Sequence, residues 1–372
     1  MVKYSISFLR FCSRLSLKLS MALDNVTQLD NATLDLFKDK TASNAVSILY
    51  IIVTLINFPG NGLSLWLLAF RTSPKTPSII FMINLTITDL AVGCALPFQI
   101  IYQSNGYNWN FGSGLCSGMT VLFYANMYCS ILTMTAISID RYLGIVRPMQ
   151  FREMKRRREY AISGCVIMWA VVLFALYPLE STDLTFEVID LNITTCFDVL
   201  KRNMLPTMTD WAVFLFTLFV ILFLIPFIIT VFCYVSIIKS LVNKRCVSNQ
   251  KRRSLHLAVL VLLVFIVCFA PNNIILLAHI IRRLFYNGSF YMQYKLSLSL
   301  SCINSCLDPF IYYLASREFR RKLRGLLGMK VNSSGDTQSC MSDQHRESIF
   351  SARSMSQANG DDYDLNLPMS TI

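Results

Sequence analysis

Two carboxylates fall inside apolar stretches, where a charge is hardest to keep. Asp89 lies within Ser78–Gln103 and Asp308 within Tyr291–Leu314. An acid surrounded by hydrocarbon is costly unless it is paired, solvated or protonated. Asn304 precedes Asp308 by one helical turn, so the two share a helix face. Asn126 and Ser130 share a face by the same spacing, and Asn61 falls at a similar depth in the first apolar stretch. This group of oxygen-bearing side chains has two readings. One is a site for a small hard cation, which takes oxygen ligands. The other is a structural hydrogen-bond network with one or both acids protonated.

Asp140-Arg141-Tyr142 closes another apolar stretch at its basic edge. Charges at a helix end are usually a solvated face. An arginine held by a neighbouring acid and released to a partner is also how a switch is built. Pro178, Pro226, Pro271 and Pro309 stand one in each of the last four long stretches. Each breaks a helix hydrogen bond and kinks its helix, giving either a hinge or a static bend.

Those residues need a scaffold, and composition names its class. Hydrophobic residues make up 54% of the 372, and charged residues only 15%, against about 25% in soluble domains. Seven apolar stretches are long enough for a bilayer core, which needs roughly 20 residues per helix. They run approximately over Ala45–Phe70, Ser78–Gln103, Gly114–Val146, Tyr160–Pro178, Met208–Leu241, Leu255–Leu284 and Tyr291–Leu314. The third and seventh are the least apolar. The expected fold is an all-α membrane protein: a seven-transmembrane helix bundle with a short amphipathic eighth helix. Its divisions are an extracellular N-terminus at 1–44, the bundle at 45–314, the amphipathic helix at 315–328 and a disordered cytoplasmic tail at 329–372.

The net charge of +12 raises nucleic acid as a partner, but the cations sit beside the apolar spans, where orientation in the membrane explains them. One side carries Arg71 and Lys75, six basic residues from Arg147 to Arg158, six from Lys239 to Arg253 and six from Arg317 to Lys330. The other carries Lys38, Lys40, Lys201, Arg202, Arg282, Arg283 and Lys295. Twenty against seven puts the first side in the cytoplasm and makes the chain a multi-pass plasma-membrane protein with its N-terminus outside. Sequons at Asn25, Asn31, Asn192 and Asn287 all fall on the outer side. The basic first twenty residues form a poor signal peptide, and Met21 is read as an alternative start.

Most of the 12 cysteines lie in apolar runs. Cys116 and Cys196 are the two expected near the outer surface, apart from Cys12 in the leader. In an oxidising compartment they are expected to bridge the third helix to the second outer loop. From Arg317 to Gly328, Phe319, Leu323, Leu326 and Leu327 line one side and Arg320, Arg321 and Arg324 the other, as in a helix lying on a membrane face. The tail holds Ser333, Ser334, Ser339, Ser342, Ser348, Ser351, Ser354 and Ser356. Phosphate on these serines would add negative charge to the tail that a partner could read.

An enzyme is not expected. The three histidines form no metal cluster, and neither a nucleophile motif nor a phosphate loop is present. An ion-coupled transporter or channel would use Asp89 and Asp308 as an ion path, but the internal repeats expected of one are not evident.

In order along the chain stand Gly60-Asn61; Asn84-Leu85 with Asp89; Cys116; Asp140-Arg141-Tyr142; Trp169; Pro226 with Tyr234; Phe265, Cys268, Phe269 and Pro271; and Asp308-Pro309 with Tyr312. Over roughly residues 45–328 this series resembles the rhodopsin-like G-protein-coupled receptors. Asp308 and Phe269 resemble the branch holding purinergic, protease-activated and several lipid receptors. The runs at 81–85, 123–128, 268–273 and 349–353 are similar to the metabotropic purinergic group.

The resemblance implies roles. Arg141 would leave Asp140 and meet the C-terminal helix of a Gα subunit, of the twelve/thirteen class, joined by Tyr234 and Tyr312. Phe265 and Phe269 would relay pocket occupancy to the sixth helix. Asp89, Ser130, Asn304 and Asp308, with Asn126 beside them, would hold an allosteric sodium ion; no other cofactor is implied. Nucleotide receptors of this branch carry His and then Lys or Arg just after the sixth-helix proline, where this chain has Asn273 and Leu276. A triphosphate needs several cationic donors. The remaining candidates, Tyr102, Tyr124, Asn273, His279, Arg282 and Lys295, give an aromatic interior under a basic mouth. That suits an extracellular anionic small molecule or lipid-like ligand, with a nucleotide as the alternative.

Overall fold

In a computed structural model of the chain, the described residues are 40–147 without 74, 158–197, 208–242, 249–286, 290–315 and 317–326. The leader with Cys12 and Met21, the sequons at Asn25, Asn31 and Asn287, Lys201 and Arg202, and the serine-rich tail lie outside them.

Among the described residues, seven long helices form the bundle. They are α1 (Lys40–Trp66, continued by a π-turn at Leu67–Arg71), α2 (Pro77–Ser104), α3 (Ser113–Val146), α4 (Arg158–Glu180), α5 (Met208–Leu218, a π-turn at Phe219–Leu224, then Ile225–Val242), α6 (Asn249–Tyr286) and α7 (Tyr291–Ala315). The short α8 follows at Arg317–Leu326. Each of the seven long helices covers the stretch expected of it, and the largest extension is at the start of α6. Hydropathy marks the part in hydrocarbon, whereas the helix itself runs on through polar Asn249–Ser254 and satisfies its own backbone there.

Six of the long helices are apolar enough to span a membrane by length and composition; α7 is not among them. It carries Lys295, Asn304, Asp308 and four serines. The polar side chains of α7 at 297, 299, 301, 304, 305 and 308 are buried, so the bundle shields them from lipid. The central helix is α3, packed against α2, α4 and α5. By contrast, α4 exposes Val166, Ile167, Phe174 and Tyr177, an outward apolar face of the kind that lipid solvates.

A hairpin absent from the sequence reading lies between α4 and α5. Strand β1 (Thr185–Val188) pairs antiparallel with β2 (Ile193–Cys196). Asn192 at the turn has φ +49° and is exposed. An asparagine tolerates that left-handed conformation better than most residues, and its sequon is accessible.

Candidate functional site

Near the middle of the bundle the polar residues of four helices converge. Asn304 Nδ2 donates to Asp308 Oδ2 at 3.0 Å, and Asn126 Nδ2 donates to Asp89 Oδ1 at 3.5 Å. Asp89, Ser130, Asn304 and Asp308 are all buried. Asp89 Oδ2, Ser130 Oγ, Asn304 Oδ1, Asp308 Oδ1 and Asn61 Oδ1 make no hydrogen bond within the protein. Each such buried oxygen costs about 1–3 kcal/mol if it stays unmet. A cluster of unmet oxygens, two from carboxylates, fits a hard cation or its water.

Sequence reasoning missed how α1 joins this cluster. Asn57 is fully buried, and its Nδ2 donates to Asp89 O at 2.8 Å and to Ser305 Oγ at 3.1 Å. Asn61 Nδ2 donates to Asn57 Oδ1 at 3.2 Å and to Ser305 O at 2.7 Å. Asn57 therefore ties α1 to α2 and α7 beside both acids. The available signal was its spacing: one turn before Asn61 in an otherwise apolar run. Close approach of α1 and α7 also needs Gly60, where an added Cβ would lie 3.2 Å from Pro309 Cγ. A second tie joins α2, α3 and α4. Trp169 Nε1 donates to Asn84 Oδ1 and Asn84 Nδ2 to Thr133 Oγ1, both at 2.9 Å.

Below the acids, towards the basic end, Arg141, Asp308, Tyr234 and Tyr312 line one cavity of about 20 Å³ with Met82, Leu85, Met134, Ile137, Val261 and Ile311. That is room for about one water. Both tyrosine hydroxyls are buried and bonded to no protein group. The cavity links the Asp140-Arg141-Tyr142 end to Asp308. Asp140 accepts a hydrogen bond from Ser78 Oγ at the start of α2, and Tyr142 packs on Phe232 with ring centres 5.9 Å apart. Tyr312 meets Phe319 of α8 edge-on at 6.5 Å.

Phe265 and Phe269 belong to an aromatic column. It runs Phe219, Phe223, Phe227, Phe265, Phe269, with successive ring centres 5.3–5.9 Å apart. The column joins the π-turn and Pro226 of α5 to α6 two residues before Pro271.

At the hairpin end, Cys116 and Cys196 form the expected disulfide, with Cα atoms 5.7 Å apart. The hairpin is fixed further by Trp109 N to Thr194 O at 2.6 Å and by Thr194 N to Asn108 Oδ1 at 3.0 Å. Tyr102 is wholly buried, and its hydroxyl accepts from Cys196 N at 3.2 Å. Its ring meets those of Tyr107 and Trp109 edge-on at 5.7 Å. This gives Tyr102 a structural task, anchoring the hairpin.

Other candidates do meet. The hydroxyls of Tyr124 (α3) and Tyr294 (α7) bond to each other. His279 stacks on Tyr294 with centres 6.2 Å apart, and its Nδ1 accepts from Phe290 N. The Arg282 guanidinium lies 4.4 Å over the Phe290 ring, and Lys295 is half-buried. Deeper, Asn273 Nδ2 donates to Phe269 O at 2.9 Å, while its Oδ1 is bonded to no protein group. Sequence reasoning missed its neighbour Asn272, whose Nδ2 reaches Met127 Sδ at 3.1 Å.

A buried acid pair, a tyrosine-lined cavity behind Arg141 and a disulfide-pinned hairpin occur here in one seven-helix frame. Residues 60–312 match the pattern described as 7 transmembrane receptor (rhodopsin family). The chain belongs to that family. It is 54% identical over 334 residues to purinoceptor 8 of Gallus gallus, covering 89% of this chain and 92% of that one. It is 52% identical over 338 residues to the S-geranylgeranyl-glutathione receptor of Homo sapiens, covering 90% and 92%. Proteinase-activated receptor 1 of Xenopus laevis is 39% identical over 287 residues, 76% of this chain and 66% of that one. The chain is thus a multi-pass membrane receptor of a family that signals through G proteins. The resemblance to the purinergic group, first seen in short runs of residues, and to its protease-activated neighbours, first seen in Asp308 and Phe269, extends over most of its length.

Proposed function

We propose that this receptor takes an anionic amphiphile at its hairpin end and passes the signal to a G protein at the Arg141 end. In this reading the hairpin end faces outside and both the Arg141 end and the C-terminal tail face the cytoplasm, which the excess of basic residues in the loops of that side supports. The observation that carries the ligand class is the distribution of charge. Asn272 and Asn273, the neutral amides just beyond Pro271, are fully buried, and the basic groups His279, Arg282 and Lys295 stand further out along α6 and α7. A triphosphate seeks cations deep in its pocket. A lipid conjugate with an acidic head needs them only at the mouth, with apolar and aromatic walls below. The name of the human relative supports this reading, because S-geranylgeranyl-glutathione joins an acidic peptide to a long prenyl chain.

The second reading, a nucleotide ligand, draws on the name of the Gallus gallus relative. Both are tested in cells expressing the chain, by G-protein dissociation after S-geranylgeranyl-glutathione or after nucleoside di- and triphosphates. A response to the conjugate alone is expected, through the twelve/thirteen Gα class. A robust response to a nucleotide alone would favour the second reading.

The buried acids would hold sodium in the resting state. Asp89, Asp308, Ser130 and Asn304 are the ligands we favour, with Asn126 orienting Asp89. The ion would offset one of the two carboxylate charges and favour the arrangement in which Arg141 stays beside the Tyr234–Tyr312 cavity. The tail serines are phosphorylated by a receptor kinase and then bind arrestin.

A further inference from the structure

Just beyond Pro271 of α6, the adjacent side chains of Asn272 and Asn273 are both fully buried. The orientation of each amide is fixed by what it meets. Asn273 Nδ2 faces Phe269 O at 2.9 Å, and a carbonyl oxygen can only accept, so the nitrogen must be the atom that points there. Asn272 Nδ2 reaches Met127 Sδ at 3.1 Å, and its Oδ1 accepts from Ser297 Oγ at 3.4 Å. One strong acceptor is left over, because Asn273 Oδ1 is bonded to no protein group. A buried amide oxygen in that state is costly, and native folds keep few of them.

This oxygen lies between the switch and the mouth. One turn inward is Phe269, at the end of the aromatic column. One turn outward is Leu276, clustered with Phe123 of α3 and Tyr294 of α7. Further out, His279 stacks on Tyr294, whose hydroxyl bonds to that of Tyr124. A ligand entering from the mouth must part the Tyr124–Tyr294 contact to reach Asn273. The six residues from Asn273 to His279 rise about 9 Å along the helix, and an extended tripeptide spans about 10 Å.

We propose that Asn273 is a ligand-binding residue whose Oδ1 accepts a hydrogen bond from an N–H in the peptide head of the anionic conjugate. With Nδ2 engaged by Phe269, the amide offers an acceptor and no donor. An amide or amino N–H satisfies it. A carboxylate or phosphate in the same place would set oxygen against oxygen, so acidic groups stay at the basic mouth. The match in length lets one head hold its carboxylate near His279 and Arg282 while an N–H reaches Asn273. The prenyl chain, carried on the sulfur of the middle residue, is left to the aromatic wall of α3. An adenine edge pairs with asparagine through a donor and an acceptor together, and Asn273 has only the acceptor to give. This role rests on the anionic-conjugate reading and adds which group of the head is recognised, and by which atom.

The test measures the affinity of two compounds in membranes from cells expressing the full chain, with surface labelling as the check on folding. One is S-geranylgeranyl-glutathione. The other is S-geranylgeranyl-mercaptosuccinate, which keeps the thioether, the prenyl chain and two carboxylates but has no N–H. Asn273→Leu is expected to weaken the glutathione conjugate roughly 10-fold, as loss of one hydrogen bond to a buried acceptor allows, and the N–H-free acid less than about 2-fold. The preference of the receptor for the conjugate therefore falls by nearly the whole factor. Asn273→Ala, which removes the same acceptor without adding bulk, gives the same reading should Asn273→Leu fail to reach the surface. A preference that persists in these variants would overturn the role of Asn273, and so would equal weakening of both compounds. Absence of binding by either compound to the parent would overturn the ligand class, and this role with it.

Discussion

Replacing Asn57 with leucine keeps the number of side-chain heavy atoms and removes three hydrogen bonds. The lost bonds are those to Asp89 O, to Ser305 Oγ and from Asn61 Nδ2. Asn61 keeps its bond to Ser305 O, and Ser305 Oγ keeps its bond to Cys302 O at 2.8 Å. Only Asp89 O and Asn61 are left poorer. Interhelical hydrogen bonds in membrane bundles average about 0.6 kcal/mol and reach about 1.7. Counting the bond within α1 like the other two, the three give a loss of roughly 2 kcal/mol. At about 2–4 °C per kcal/mol, the unfolding midpoint falls by roughly 4–8 °C. A thiol-reactive fluorophore measures this directly, because Cys129, Cys233, Cys268, Cys302 and Cys306 are buried until the bundle opens. Asn44→Leu, at an exposed position of the same helix, is the control and is expected to shift the midpoint by less than about 2 °C. An Asn57→Leu midpoint within about 1 °C of the parent would refute the claim that Asn57 staples α1 to α2 and α7.

Arg141→Ala is expected to abolish ligand-driven G-protein activation while surface labelling stays at the parent level; an unchanged response would remove Arg141 from the switch. Sodium is expected to weaken agonist binding, and Asp89→Asn to remove that effect; sodium sensitivity that survives the substitution would unseat the acid pair as the cation site. Cys116→Ser opens a loop of 80 residues, which costs roughly 4.5 kcal/mol by chain entropy, so surface expression and ligand response should both fall sharply. Gly60→Ala pushes a methyl group to 3.2 Å from Pro309 and is expected to lower the thermal midpoint by several degrees, whereas Gly62→Ala, with open space around it, should not.

The hairpin shows most clearly what sequence could not reach. Residues 185–196 are short, mixed and without a strong alternation, and what holds them is remote: the disulfide to α3, the Tyr102 hydroxyl and the Trp109 amide. Asn57 was passed over for a similar reason. A lone asparagine in an apolar run has no periodic partner within its own helix except Asn61, and its other partners are 32 and 248 residues away. Tyr102, by contrast, was noticed as an aromatic for the pocket, and only the packing revealed that its hydroxyl serves the hairpin.

The sequence by itself determined the helices, because hydrocarbon thickness fixes their length and a chain in lipid must satisfy its backbone within each span. It determined which residues are costly in such spans, and so pointed to Asp89, Asp308 and Asn304. Which of those oxygens meet a partner was decided only by the tertiary structure. Pairing between helices depends on rotation and depth of one helix against another, set by contacts such as Gly60 on Pro309 that local periodicity does not encode. The same packing spends Arg320 on the end of α7 while leaving Arg321 and Arg324 exposed, a division that charge counting along the chain treats as one basic cluster.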